Sequence, residues 1–423
     1  MSLRFVFGGS GAGKSTRLYS EIIQRAEEEP ERNFLIIVPD QFTMQTQKEI
    51  VTHPVNKRGG ILNIDVLSFS RLSHRIFEEV GKREIPVLDD TGKSLVLRKV
   101  AGSLKEELPY LGSNLDKQGY IHEVKSAISE FMQYGVGVED VQKLMDYAAK
   151  KGTLYYKLKD LQVLYRGFME YIREKFITTE ETLDLLRESL ERSAIVKNSV
   201  FAFDGFTGFT PIQNRVIGKL LRIAKEVILT VTLDLREDPF LMDGEQKLFH
   251  LSKKTVADFI KMAQEEKTER GRDVFAGYYG GHRFSHNEPL AHLERTLFRY
   301  PVKEYDKPQS AVHLFASSTV REEVRQMGIK LRRLVREEGC CYRDIAVVAG
   351  DLEVYAELVE AEFSLLGIPC FVDRTRGIVL NPLTEYIKSA FEVLAKNFSY
   401  ESVFQYLRSG LAGFLPEDTD MLG

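Results

Sequence analysis

The sequence has few cysteines, no tryptophan and no long apolar run. Its three cysteines, Cys340, Cys341 and Cys370, include no CxxC pair. This spacing disfavours a zinc site and a disulfide framework, and it indicates buried or incidental thiols in a reducing compartment. No apolar segment approaches the roughly 18 residues that a membrane-spanning helix needs. We therefore expect a cytoplasmic protein without a membrane partner.

A strong excess of basic residues is also missing. The formal net charge is −4, so the sequence lacks the global basic character of proteins that bind nucleic acids non-specifically, although a local basic channel remains compatible with it. The 423 residues are too many for one ordinary core, and we expect two or more domains.

A phosphate-binding loop lies near the start of the sequence. GGSGAGKS, residues 8–15, fits GxxxxGK[ST] and stands between a predicted strand at 3–7 and an amphipathic helix. Lys14 is placed to reach the β- and γ-phosphates of ATP, and Ser15 to ligate Mg²⁺. A loop that keeps this shape without a ligand is the alternative. The predicted nucleotide contacts are Gly8, Gly9, Ser10, Gly11, Ala12, Gly13, Lys14, Ser15 and Thr16.

Two further predicted strands, at 34–38 and 61–67, end in polar turns. Strands that alternate with helices form parallel sheets, so both turns are expected at the edge that holds the phosphate loop. Their polar groups suit nucleic-acid phosphates, and Phe69 is able to stack on a base. Helix capping with Phe69 in the core is the alternative. The predicted DNA contacts are Asp40, Gln41, Thr43, Ser68, Phe69, Ser70 and Arg71.

Residues 88–194 have apolar residues spaced three and four apart, with Gly and Pro between the periodic segments. This pattern predicts a helical insertion within the α/β domain. We expect its Tyr and Phe residues to form the core of that insertion rather than to stack on bases.

The predicted strand that follows, SVFAF, ends in a single acid. Asp204 is in the right place to hold Mg²⁺ through water, but Gly205 stands where a catalytic second acid is expected. Loss of a positioned general base costs about 10²–10⁴ in rate. The sequence therefore predicts a site that binds ATP and hydrolyses it slowly. The alternative is that Asp234, at the end of the next strand, supplies the acid.

The segment DGFTGFTPIQ, residues 204–213, resembles the acid motif DEFQDTNPxQ of superfamily 1 helicases of the UvrD type. The resemblance places Asp204 and Gln213 among the nucleotide-binding residues, and it implies that the two polar turns are DNA-contacting motifs. Further on, YRDIAVVAGD resembles the start of that family's second motor domain. Gly350 there replaces an arginine that contacts the γ-phosphate, which implies the loss of a second hydrolytic group.

All 423 residues are similar to the B subunit of the AddAB-type bacterial helicase–nuclease. The resemblance implies a heterodimer with an A-type subunit that processes double-strand breaks for recombinational repair on single- and double-stranded DNA. It implies a degenerate motor that reads the single strand for a hotspot sequence, in the cytoplasm and on the nucleoid. Full-length family members add a nuclease domain with its own Mg²⁺ and an iron–sulfur cluster. We expect neither here, and interpret the chain as an N-terminal fragment of such a protein.

The predicted fold class is α/β, with a P-loop (RecA-like) parallel-sheet domain at 1–87 and 195–300 that carries the helical insertion. Residues 301–378 are predicted to begin a second RecA-like domain, and 379–423 a second, truncated helical insertion. The connector at 271–300 is interpreted as a loop rather than a histidine metal site, with Tyr278, Tyr279 and Arg283 as weak candidates for DNA contact. An active superfamily 1 helicase and a P-loop phosphotransferase remain as alternatives.

Overall fold

The computed structural model describes residues 1–57, 59–60, 63–81, 86–112, 118–173, 175–277, 283–374, 378 and 381–413. The chain divides into two units, Met1–Val312 and His313–Gly423. The predicted residues Tyr278, Tyr279 and His282 lie outside the described residues. Among the described helices, none has the length and apolar character required to cross a membrane.

A parallel β-sheet organises the first unit, as the sequence predicts. Its strands run in the order β3-β2-β6-β7-β1-β8, and β9 also pairs with β1. Strands β4 and β5 form a separate parallel pair. The strands are β1 (Ser2–Gly8), β2 (Asn33–Ile37), β3 (Ile64–Leu67), β4 (Val87–Leu88), β5 (Ile177–Thr178), β6 (Ser199–Phe203), β7 (Glu226–Thr232), β8 (Glu269–Arg270) and β9 (Val274–Phe275).

Helices connect the strands and cover both faces of the sheet. The central strands are apolar on both sides, which is the pattern of a parallel sheet enclosed by helices. The helices of the first unit are α1 (Lys14–Glu28), α2 (Thr43–Val51), α3 (Phe69–Val80), α4 (Asp90–Ser103), α5 (Gln118–Tyr134), α6 (Asp140–Ala148), α7 (Thr153–Ile172), α8 (Thr179–Ser189), α9 (Ala194–Lys197), α10 (Pro211–Ile223), α11 (His250–Glu265) and α12 (Glu288–Thr296).

Helices α4 to α7 form a helical body with its own apolar core, inserted between β3 and β6. Leu97, Val141 and Phe168 are each no more than 1% exposed there. Lys93 and Glu180 form a buried ion pair at its edge, with nitrogen–oxygen distances of 2.9 and 3.0 Å. The body thus has the helical character that residues 88–194 predict.

In the described part of the second unit there are helices but no β-strand. The helices are α13 (Val320–Glu337), α14 (Leu352–Leu365), α15 (Pro382–Ala395) and α16 (Tyr400–Leu407). Leu314 and Val348, in the segments predicted as strands, are 98% and 94% exposed. A strand needs a hydrogen-bonded neighbour, so the second RecA-like domain stays a prediction. Cys341 and Cys370 are exposed rather than buried.

Candidate nucleotide-binding site

The sheet brings the predicted site residues to one edge. Strand β7 lies between β1, which leads into the phosphate loop, and β6, which ends before Asp204. Two strand spacings separate the loop strand from the acid strand by about 10 Å. The turns after β2 and β3 lie at the same edge, because all these strands are parallel.

The phosphate loop has the shape its glycines permit. Gly13 caps α1 with a φ of 82°, a conformation that disfavours any residue with a Cβ. The Lys14 ammonium donates a hydrogen bond of 2.9 Å to the Gly9 carbonyl and so spans the loop. Burial lowers the pKa of Lys14, and the carboxylates of Asp204 and Glu294 offset this only in part. The loop therefore presents a partly desolvated cation at the N-terminus of a helix.

A cleft of about 500 Å³ opens beside the loop. Ser15 and Thr16 line it from α1, Asp204 and Gly205 from the end of β6, and Arg283 from the segment before α12. A polar cleft at a helix N-terminus, with an ammonium group nearby, fits the phosphates of a nucleotide. The predicted loop residues thus converge on one cavity that suits ATP.

The segment after β9 belongs to this site, which sequence reasoning missed. The Arg283 N–H donates to the Gly11 carbonyl at 3.0 Å, and a Cβ on Gly277 would lie 2.9 Å from the Cβ of Ala12. A Cβ on Gly9 would lie 3.1 Å from a carboxylate oxygen of Glu294. Gly277 was the available signal, since a glycine after a strand often marks close approach of backbones. Arg283, interpreted from sequence as a weak DNA contact, instead lies against the phosphate loop.

Asp204 is buried and both of its carboxylate oxygens accept hydroxyl protons. Tyr19 of α1 donates to one oxygen at 2.5 Å, and Thr230 of β7 donates to the other at 2.6 Å. Mg²⁺ needs near-octahedral oxygen ligands and keeps several of its waters. Ser15 lines the cleft and is suited to that role, but Asp204 is already committed to protein donors. The predicted pair of Ser15 and Asp204 therefore does not fit Mg²⁺ as the sequence suggested.

Neither acid position near the strand ends offers a general base. Gly205 has a φ of 77° and carries no side chain. Asp234 accepts hydrogen bonds from Arg236 at 2.9 Å and Arg299 at 2.8 Å. Burial opposes ionisation of Asp234, but the hydrogen bonds from Arg236 outweigh it and lower the pKa to about 2. A carboxylate held this way is a weak base at neutral pH.

Gln213 serves the N-terminus of α10. Its side-chain oxygen accepts from the Thr210 N–H at 2.9 Å, and the Thr210 hydroxyl accepts from the Gln213 N–H at 3.4 Å. This is a capping box, which satisfies two backbone donors reciprocally. Gln213 borders a second cleft of about 970 Å³, which Asp40 and Ser70 also line. The structure thus separates Gln213 from the residues that line the phosphate-loop cleft.

The predicted DNA contacts divide into exposed and buried residues. Asp40, Gln41, Ser70 and Arg71 are exposed at the strand-end edge, whereas Thr43, Ser68 and Phe69 are buried. Ser68 caps α3 by accepting from the Arg71 N–H. The ring of Phe69 is 7% exposed. It packs against Phe203, Phe206 and Phe209.

Two features of this edge were missed by sequence reasoning. Phe42 is 41% exposed and lines the phosphate-loop cleft, so it is the accessible aromatic ring that Phe69 is not. A groove of about 320 Å³ runs along β3 and α3, and Arg71, His74 and Arg75 line it together with Asp65 and Glu78. Helical spacing of these three cationic or titratable residues was the available signal.

Gly350, where the resemblance predicts a lost arginine, is exposed in the second unit. No atom lies within 4 Å of the position that its Cβ would take. An added side chain there has room, and nothing local requires a glycine.

Comparison with known proteins gives a consistent result. A family model described as "ADDB, N-terminal" matches residues 5–294. A protein of Lachnoclostridium phytofermentans, named as the B subunit of an ATP-dependent helicase/deoxyribonuclease, is 41% identical over the whole chain. Relatives with the same name from Acetivibrio thermocellus and Thermoanaerobacter sp. are 34% and 37% identical. The chain spans 37% of the first relative's length and 36% of the other two.

Proposed function

The chain belongs to the family described as "ADDB, N-terminal", and we propose that it is the ATP- and DNA-binding part of an ATP-dependent helicase–nuclease subunit in double-strand break repair. It holds ATP and hydrolyses it slowly if at all. Its strand-end edge contacts single-stranded DNA, which it reads for a hotspot sequence while an A-type partner moves the DNA. The names of the curated relatives support the coarse assignment.

One observation carries the nucleotide part of the proposal. The phosphate loop keeps its lysine and its cleft, whereas the acid strand ends in Asp204 followed by Gly205, and Asp234 is neutralised by two arginines. Binding groups are therefore present where the hydrolytic base is missing. The chain's own residues hold and orient the phosphates through Lys14 and the loop N–H groups, and Arg283 offers a guanidinium from the same cleft.

The DNA part rests on the groove that Arg71, His74 and Arg75 line beside the strand ends. Cationic side chains at this edge suit phosphate oxygens, which position a strand without reading its sequence. Asp65 lies 3.6 Å from Arg75 and competes for it, so Arg71 is the stronger candidate contact.

The test is fluorescence anisotropy with a labelled single-stranded oligonucleotide at low salt. Arg71→Ala with Arg75→Ala should weaken binding about tenfold and flatten its salt dependence. Arg222→Ala is the matched control, because Arg222 is exposed in the last turn of α10, near the start of β7 at the opposite edge. Equal loss in the control, or no binding by the unaltered chain, would overturn the proposed DNA contact. Robust DNA-stimulated ATP turnover would instead favour an active helicase.

A further inference from the structure

The Asp204 carboxylate forms a buried three-residue cluster with two hydroxyl groups. Tyr19 is 3% exposed, Thr230 4% and Asp204 itself 5%. The two hydroxyl–carboxylate bonds, at 2.5 and 2.6 Å, have the short lengths of charge-assisted hydrogen bonds. The cluster therefore joins α1, β6 and β7, the three elements that surround the phosphate-loop cleft.

This arrangement is costly to disrupt. If Asp204 turned towards a hydrated metal ion, the Tyr19 and Thr230 hydroxyls would lose their acceptor in a buried place. An oxygen that already accepts a short hydrogen bond is also a poorer acceptor for a metal-bound water. Burial and the nearby carboxylate of Asp204 raise the pKa of Tyr19, so its hydroxyl stays protonated and remains a donor.

Tyr19 occupies a specific position relative to the loop. It lies five residues after Lys14 in α1 and lines the same cleft as Ser15 and Asp204. A hydroxyl group thus binds the acid strand from the helix that carries the phosphate loop, on the side where a metal-bound water would approach. The position of α1 is then fixed by this cluster rather than by a metal ion.

We propose that Asp204 is a structural latch between α1, β6 and β7 rather than a magnesium-holding carboxylate, and that this chain binds ATP with little dependence on Mg²⁺. The inference rests on the proposed nucleotide binding and deepens it. Affinity then comes from Lys14, the loop N–H groups and the helix N-terminus, none of which needs a divalent cation.

The test uses a fluorescent ATP analogue and the full chain, titrated in Mg²⁺ and in EDTA. The two dissociation constants should differ by less than about threefold for the unaltered chain. Tyr19→Phe removes the hydroxyl and keeps the ring, which frees one Asp204 oxygen, so Mg²⁺ should now tighten binding by about tenfold. Tyr165→Phe is the matched control, because that buried hydroxyl donates to the Val136 carbonyl within the helical body.

Asp204→Asn supplies a second variant, because an amide oxygen still accepts a hydroxyl proton. Its affinity in Mg²⁺ should stay within about threefold of the unaltered chain. Thermal unfolding without nucleotide should give non-additive losses for Tyr19→Phe and Asp204→Ala, since both break one contact. Mg²⁺-dependent binding that Asp204→Asn abolishes would overturn the latch alone. Absence of nucleotide binding in both buffers would overturn the proposed function and the latch together.

Discussion

Gly205 illustrates why a lost catalytic group is not simply replaced. Its φ of 77° lies in the left-handed region, where residues with a Cβ are strained by about 1 kcal/mol or more. Space itself is available, because a Cβ would meet Pro39 and Phe42 only at 3.7 and 3.8 Å. The turn has thus settled into a glycine conformation that a glutamate would have to distort.

Gly205→Glu should therefore leave ATP hydrolysis far below the rate of an active helicase. The new carboxylate would start from a strained backbone, and Gly350 would still lack its guanidinium. Phosphate release under single-turnover conditions measures this directly. Gly208→Glu adds the same charge to the same loop without a positive φ and serves as the control. An increase of more than about 10² specific to Gly205→Glu would contradict our assignment of two defects.

The Asp234 ion pairs make a pH-dependent contribution to stability. Its pKa of about 2 lies below the ordinary value of 3.8, so the folded state binds this proton less readily than the unfolded chain. The stabilisation is present above about pH 4 and should be lost as the pH falls towards 2. Denaturant unfolding of the unaltered chain and of Asp234→Asn should converge over that range. A difference that persists unchanged to the acid end would argue against the ion pairs as its source.

At the scale of the elements, the sequence predicted the sheet better than the site. Runs such as 34–38 and 199–203 are apolar throughout, and such runs fit only a strand covered on both faces. Phe69 and Gln213 were harder, because a motif shows which residues are near a ligand without showing which way they point. The Phe203, Phe206 and Phe209 cluster that encloses Phe69 is assembled by tertiary packing, to which local periodicity is blind.

The helical body offers a test of one buried contact. Lys93 and Glu180 are 4% and 7% exposed, and they pair at 2.9 and 3.0 Å. Lys93→Met leaves a buried carboxylate without its cation and should lower the free energy of unfolding by about 3–5 kcal/mol. Adding Glu180→Leu removes both charges and should recover most of that loss, as measured by denaturant unfolding.

Lys143→Met is the matched control for this pair. Lys143 forms an exposed ion pair with Asp140 at 2.8 Å, and exposed pairs add little to stability because water screens them. Equal destabilisation by Lys93→Met and Lys143→Met, or no recovery in the double variant, would show that the buried pair is not a distinctive support of the helical body.

At the scale of the whole molecule, binding groups and hydrolytic groups have separated. The loop, Lys14 and their cleft are retained in the first unit, while the positions for the water-activating acid and the γ-phosphate arginine are both glycine. A chain built this way uses ATP for occupancy rather than for movement. That suits a protein whose partner supplies the motor, as we propose.

The sequence reached this view through spacing, since both glycines stand within recognisable motifs. It could not reveal the hydroxyl partners of Asp204 or the approach of Arg283, because those contacts join residues 26 to 272 positions apart in the chain. Contacts between distant segments depend on strand order, which local patterns leave open.

The most direct test is the fate of ATP bound to the purified chain in the presence of single-stranded DNA. Radiolabelled ATP is bound, unbound nucleotide is removed, and the bound nucleotide is identified over time, with Lys14→Ala as the control that should retain none. Our account predicts that the bound nucleotide is recovered as intact ATP. Rapid, DNA-stimulated conversion of the bound ATP to ADP and phosphate would contradict it.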